Sequence, residues 1–213
     1  MTLGPLTSKP IIVLTIIKIN IAVFILWMMV GFYDPDFMIK NFLVSWSGVL
    51  DGRIWTLVTS VFSHNLFFHI FINMYAFFGF GAVVENILGP RRFLTFYIWA
   101  GIFSSLCHCL VSTYLIGDNS IAALGASGAI SGVILLFSLL FPQERILLMG
   151  IFPIPALWAS IFIIGLDLWG LFEQTKGVAL PIGHGAHLGG ALYGGAYYFI
   201  KMRKSSDKNF QFL

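Results

Sequence analysis

Ser127 stands in the string Gly125-Ala126-Ser127-Gly128, where a loop meets an apolar run. His187 stands in Ala186-His187, followed by Gly190 and Gly194. A serine hydroxyl is a weak nucleophile until a base takes its proton, and histidine is the side chain that most often does so. A third group, His64, His69 and Asn73, opens another apolar run. His69 and Asn73 are four residues apart and so share a helix face. In acyl transfer such a pair can donate to a developing oxyanion, with the backbone N–H of Ser127 as a further donor, and each donor of this kind is worth about 10²–10³ in rate. The residue types therefore point to a serine hydrolase, provided the fold brings the three runs together.

The elements that must do so are membrane helices. The chain of 213 residues is 58% hydrophobic and 10% charged, too few charges to cover a soluble domain of this size. Its apolar residues form long runs and do not alternate, which favours a polytopic helical bundle over a β-barrel. The reading is all-α: a single membrane domain over residues 1–213 with six spans, Ile11–Gly31, Phe67–Leu88, Phe93–Ile116, Ala126–Phe141, Ile146–Leu171 and Gly185–Ile200. The first run is too long for a cleavable signal and carries Lys18 and Asn20. The stretch from Phe32 to Asn65, with Trp46 and Trp55, reads as an interfacial first loop.

Charge sets an orientation. With the N-terminus in the cytoplasm, Lys9, Arg91, Arg92, Arg145, Lys201, Arg203, Lys204 and Lys208 lie inside, against Lys40, Arg53 and Lys176 outside. Both termini are then cytoplasmic, and the net charge of +3 reads membrane orientation, with no nucleic-acid partner expected. The second, fourth and sixth spans run in one direction. Ser127 precedes Phe141 by 14 residues and His187 precedes Lys201 by 14, so each lies ~21 Å from the inner end of its helix. Asn73 precedes Gly89 by 16 residues, or ~24 Å. In a hydrocarbon core ~30 Å thick all three sit at one depth, roughly 9 Å below the outer surface.

Gly125, Gly128 and Gly132 fall at helical spacing on one side of the fourth span, and Gly190 and Gly194 on the face of His187. Small faces let two helices approach closely, near enough for a Ser127–His187 hydrogen bond. The segment from Asp118 to Gly125 must dip into the bundle, and irregular backbone at that depth is tolerated only beside a cavity or packed protein. Cys107 and Cys109 flank His108 on one helix and point to different faces, so they read as buried thiols beside a packed or interhelically bonded histidine. No metal site is expected there. Pro153 and Pro155 are expected to kink the fifth span. Asp167, near its outer end, reads as interfacial, and His184, three residues before His187, as a rim histidine near solvent.

Four motifs occur in order on the expected spans. They are His64-x₄-His69-x₃-Asn73, Gly81-x₃-Glu85-x₃-Gly89-Pro90-Arg91-Arg92-Phe93, Gly125-Ala126-Ser127-Gly128, and Ala186-His187-x₂-Gly190-x₃-Gly194. In these residues the chain, from about Gly52 to Gly195, resembles the rhomboid family of intramembrane serine proteases, in its minimal six-span bacterial type. The resemblance implies a Ser-His dyad without an orienting carboxylate. Ser127 would be the nucleophile, His187 the general base and later acid, and His69 and Asn73 the oxyanion hole. It implies structural roles for Glu85 and the Arg92 region, substrates that are transmembrane segments of other proteins, no cofactor or metal, and a bacterial inner membrane. Three positions depart from the family's pattern. Trp55-Thr56, with Arg53 upstream, stands where a Trp-Arg pair is usual. Ser131 stands where an aromatic ring stacks on the histidine, so another group must hold His187. His184 adds a second histidine on the same face.

Two other classes are weighed. A catalytically inactive rhomboid-like protein that binds transmembrane segments would have lost the serine or the histidine, and both are present. A channel or transporter would show matched half-repeats or broken helices in both halves, and prolines interrupt only the fifth span.

Overall fold

The computed structural model describes residues 8–148, 151–178, 180 and 182–202. The basic tail residues Arg203, Lys204 and Lys208 lie outside the described residues. The helices are α1 (Ile11–Met29), α2 (Pro35–Phe42), α3 (Trp46–Leu50), α4 (Thr56–Thr59), α5 (Phe67–Leu88), α6 (Pro90–Val111, continued by a π-turn to Ile116), α7 (Ser127–Leu140), α8 (Ala156–Thr175) and α9 (His184–Tyr197). Six of these, α1 and α5 to α9, build the bundle, and α2 to α4 are short helices in the first loop. Four elements, Ile11–Met29, Phe67–Leu88, Pro90–Ile116 and Ala156–Thr175, are long and apolar enough to cross a membrane.

α7 is the central helix. It packs against α5, α6, α8 and α9, and Ala129, Val133 and Leu136 on it are at most 1% exposed. The main apolar cluster joins it to α1, α5 and α6 through Val13, Phe77, Phe93 and Tyr97. The outer helices show the reverse pattern. Ile25, Phe68, Tyr75, Trp158 and Trp169 are exposed, apolar outer surface of the kind that lipid covers without cost.

Glu85 explains how α1 is held. Its buried carboxylate, on α5, accepts hydrogen bonds from the N–H groups of Ile12 (2.9 Å) and Val13 (2.8 Å) at the start of α1. Pro10, the residue before α1, makes no side-chain cap. The first N–H groups of a helix lack intrahelical partners, and a carboxylate there also meets the positive end of the helix dipole. Glu85, expected to anchor the turn between the second and third spans, is structural in a different way: its side chain caps α1 from a neighbouring helix.

The fifth span differs from expectation at its start. Arg145–Leu148 and Phe152–Pro155 form a two-stranded antiparallel hairpin, β1 and β2, with Arg145 opposite Pro155. α8 begins only at Ala156 and runs to Thr175. Pro153 and Pro155 lie in β2, so neither kinks a helix. Proline lacks the N–H that a helix interior needs, and Pro155 instead sets the extended backbone from which α8 departs. Gly125 is likewise outside α7, which starts at Ser127.

The first loop docks firmly without a Trp-Arg pair. Val44 and Ala123 exchange both backbone hydrogen bonds (2.9 and 2.8 Å), Ser47 N–H bonds Asn119 O (2.9 Å), and Gly125 N–H bonds Ser60 O (2.9 Å). Trp27 Nε1 on α1 donates to Ser63 Oγ at 2.7 Å. Arg53 pairs with Asp51 at 3.0 Å. The bonds to Asn119, Ala123 and Gly125 tie the first loop to the irregular segment that leads into Ser127.

Candidate active site

Ser127 is the first residue of α7 and His187 lies in the first turn of α9. Their helices meet along glycines. A Cβ added to Gly190 would fall 1.7 Å from Gly128 O, and one added to Gly194 would fall 2.2 Å from Gly132 O. Backbone thus touches backbone, and any side chain at these positions would push α7 and α9 apart. At this separation His187 Nε2 is 2.8 Å from Ser127 Oγ. The depth match read from the sequence ends in a hydrogen bond between the expected nucleophile and the expected base.

The loop before Ser127 is equally constrained. Gly125 has φ of 122°, and a Cβ on it would lie 2.8 Å from the His69 ring, so the position is restricted both by conformation and by space. The N–H of Ala126 donates to His64 Nε2 at 3.3 Å. An accepting Nε2 requires a neutral ring. Burial, reinforced by the positive charge His69 carries when protonated, pushes the pKa of His64 down to about 3, which keeps it neutral. His64, which the sequence groups with His69 and Asn73, therefore holds the loop that carries the serine.

A pH prediction follows from His64. Its folded pKa is lowered from 6.5 to about 3, so between those values the unfolded chain binds a proton that the folded chain refuses. Stability then falls as pH drops through this window, by about 1.4 kcal/mol per pH unit. His64→Gln places an amide oxygen near the position of Nε2 and cannot titrate. Thermal aggregation midpoints in detergent at pH 7 and pH 5 should fall more for the wild type than for His64→Gln. An equal fall in both would remove His64 from the account.

His69 and Asn73 both line a cleft of about 960 Å³ together with Ser127, Gly128 and His187. Asn73 Nδ2 donates one hydrogen to His69 O at 2.8 Å, and its second amide hydrogen remains for a ligand. The cleft also takes in Ser104, His108 and Ile121. His108 Nε2 bonds Ile121 O at 3.1 Å, and both cysteines are free: Cys109 is buried as expected, whereas Cys107 is only partly buried.

His187 is held by a carboxylate. Asp167 Oδ1, on α8, accepts from His187 Nδ1 at 3.0 Å and from His184 Nδ1 at 2.7 Å. This corrects three expectations. The Ser127–His187 pair has an orienting carboxylate. Asp167 is not interfacial but buried, at 7% exposure, and His184 is not a solvent-facing rim residue but buried, at 6%. The physical reason is shared: α8 and α9 pack together, and each polar group escapes an unpaired position in the bundle by bonding another. Ser131, where a stacking ring was expected, donates its hydroxyl to Ser127 O at 2.9 Å instead. With Nδ1 donating to Asp167, a neutral His187 ring turns its Nε2 lone pair toward the serine hydroxyl, the arrangement of a general base.

A rhomboid domain model matches residues 51–204, which covers every residue of this site. The chain belongs to the rhomboid family. It is 31% identical over 192 residues to RHOMBOID-like protein 12, mitochondrial, of Arabidopsis thaliana, covering 84% of this chain and 55% of that protein. It is 32% identical to Rhomboid protein 1, mitochondrial, of Saccharomyces cerevisiae, covering 87% of this chain and 52% of the relative. With the human presenilin-associated rhomboid-like protein, mitochondrial, it shares 34% identity, over 84% of this chain and 45% of that one. The chain thus spans about half the length of these relatives. All three are mitochondrial, so they lend no support to the bacterial inner membrane expected of this rhomboid chain.

Among the described residues, Asp167, His184 and His187 form one group whose ligand atoms lie within 4.8 Å of one another. The hydrogen bonds within that group run through His184 Nδ1, His187 Nδ1 and Asp167 Oδ1. The chemistry the rhomboid site can perform is proton transfer from Ser127 through His187.

Proposed function

We propose that this chain is an intramembrane serine endopeptidase that cleaves transmembrane segments of other proteins. The observation that carries the reading is the 2.8 Å contact between Ser127 Oγ and His187 Nε2, with Asp167 behind the histidine. Ser127 Oγ attacks the carbonyl carbon of the scissile peptide while His187 Nε2 takes the hydroxyl proton. The tetrahedral oxyanion is met by the Asn73 amide, His69 and the N–H of Ser127 at the free end of α7, where unpaired donors and the helix dipole favour negative charge. The C–N bond then breaks, and His187 returns the proton to the leaving amine. Water, activated by the same histidine, hydrolyses the acyl-enzyme and frees Ser127.

The partners of this reaction are the bilayer and a substrate helix, with no cofactor. The substrate must unwind locally to expose a peptide bond to Ser127, which favours segments with small, helix-weak residues. The excess of basic residues at the end of the bundle remote from Ser127 orients the site toward the non-cytoplasmic face. The test is direct. Purified protein in liposomes should cut a reporter carrying such a segment at a bond inside that segment, as mapped by mass spectrometry. An intact reporter, still bound to the protein, would favour a transmembrane-segment binder without protease activity.

A further inference from the structure

His184 is a buried polar group bonded to the catalytic constellation that the proposed chemistry does not use. It opens α9 one turn before His187, is 6% exposed, and bonds Asp167 Oδ1 through Nδ1 at 2.7 Å. Its other ring nitrogen, Nε2, is buried without a hydrogen-bond partner among the described residues. Packing alone is better served at such a position by an apolar ring, which has no polar atom to strand. The nitrogen that is used points at the carboxylate behind the general base.

α8 is shaped to admit this ring. Gly170 lies three residues after Asp167 and shares its face. A Cβ on Gly170 would fall 2.2 Å from His184 Nε2 and 2.4 Å from Cε1. Gly165, on the same helix, has nothing within 4 Å of its added Cβ, so the close fit at Gly170 is particular to that position. A second constraint comes from the carboxylate. Among the described residues both bonds to Asp167 go to Oδ1, one from each histidine. An aspartate side chain held by a single bond to His187 could turn about its own torsions. A second bond to the same oxygen, from a ring itself seated against Gly170, restricts that turning.

We propose that His184 is a positioning residue for the Ser127–His187 pair. Seated in the space that Gly170 leaves on α8, it holds the Asp167 carboxylate so that Oδ1 faces His187 Nδ1. The proposal rests on the serine-hydrolase reading of the site. It assigns His184 no contact with substrate; its effect passes through Asp167 and appears in the chemical step. Misplacing a catalytic group by about 1 Å can cost 10²-fold, which sets the scale.

Reporter cleavage in liposomes, resolved into kcat and KM, tests this with paired variants. His184→Ala should lower kcat about 10–10²-fold and leave KM within about two-fold. Asparagine carries its amide nitrogen near the position of Nδ1, so His184→Asn should recover most of the loss. Glutamine carries it near Nε2, against Gly170, and should not. Gly170→Ala should lower kcat as His184→Ala does, because its Cβ occupies the ring's seat. In the His184→Ala background the same change should cost nothing further. The Gly170→Ala and His184→Asn arms hold even where His184→Ala folds poorly. Wild-type protein that cleaves nothing and takes up no fluorophosphonate would overturn the hydrolase reading itself. Active wild type with unaltered kcat in His184→Ala, or with asparagine and glutamine equally impaired, would overturn the positioning role alone. Additive losses from Gly170→Ala and His184→Ala would do the same.

Discussion

Ser127→Ala and His187→Ala should each all but abolish cleavage of a reporter segment, and the double variant should be no worse than either. The expected loss is about 10⁵–10⁶ in kcat, the scale found when one member of a nucleophile–base unit is removed from a serine protease. The reason is geometric. Ser127 Oγ and His187 Nε2 share one hydrogen bond of 2.8 Å, and each is inert in this reaction without the other: the hydroxyl keeps its proton, or the base has nothing to deprotonate. Non-additivity is the signature. Independent losses that multiply in the double variant would mean the two residues act in separate steps. Neither change should unfold the bundle, because α7 and α9 meet through the backbones of Gly128, Gly132, Gly190 and Gly194, so substrate binding should survive.

Asp167 carries the second large effect, and the structure separates its two contributions. The carboxylate orients His187, and it offsets the positive charge that His187 acquires when it takes the serine proton. Both histidines donate to Oδ1. Asparagine can therefore keep both bonds through its own Oδ1, with its NH₂ in the place of Oδ2. Asp167→Asn should retain the orientation, lose the charge, and lower kcat about 10–10²-fold. Asp167→Ala loses both and should lower kcat about 10³–10⁴-fold, comparable to the loss of the aspartate in other serine proteases. Steady-state kinetics on the two variants checks the order. Wild-type rates in Asp167→Ala would remove the residue from the mechanism. Equal losses in both would assign its whole effect to charge.

The parts of this site that were legible in the sequence are those whose signal is local. Ser127, His187, His69 and Asn73 each stand in a short motif on an apolar run, and counting residues from the helix ends placed three of them at one depth. The close approach of α7 and α9 was readable because glycines at helical spacing have one obvious physical use. Asp167 was harder. It precedes His187 by 20 residues on a different helix, and no pattern in that helix points at α9. Its signal was thermodynamic: a carboxylate in the apolar run from Ile161 to Phe172 is costly in a membrane unless it is paired. The sequence reading nonetheless put Asp167 at the interface, because nothing in the sequence says which helix face meets α9, and the bond to His187 emerged only from the packing of α8 on α9.

The start of the fifth span was misread for a related reason. Ile146 to Pro155 is apolar throughout, and periodicity alone cannot distinguish a short apolar strand from the beginning of a helix. Pro153 and Pro155 carried the information. Two prolines in three residues fit an extended strand that precedes a helix far better than the interior of one. The six-helix bundle survives this change, with α8 running from Ala156 to Thr175 and Asp167 within it bonded to the first turn of α9.

The central claim is that Ser127 is a nucleophile activated by His187 within the bundle. It is tested most directly by exposing the protein in liposomes to a fluorophosphonate and mapping the adduct by mass spectrometry. The account predicts a single adduct on Ser127, absent in Ser127→Ala, strongly slowed in His187→Ala, and formed in parallel with the loss of reporter cleavage. Cleavage that persists in Ser127→Ala, or an inhibitory adduct on another residue, would contradict it.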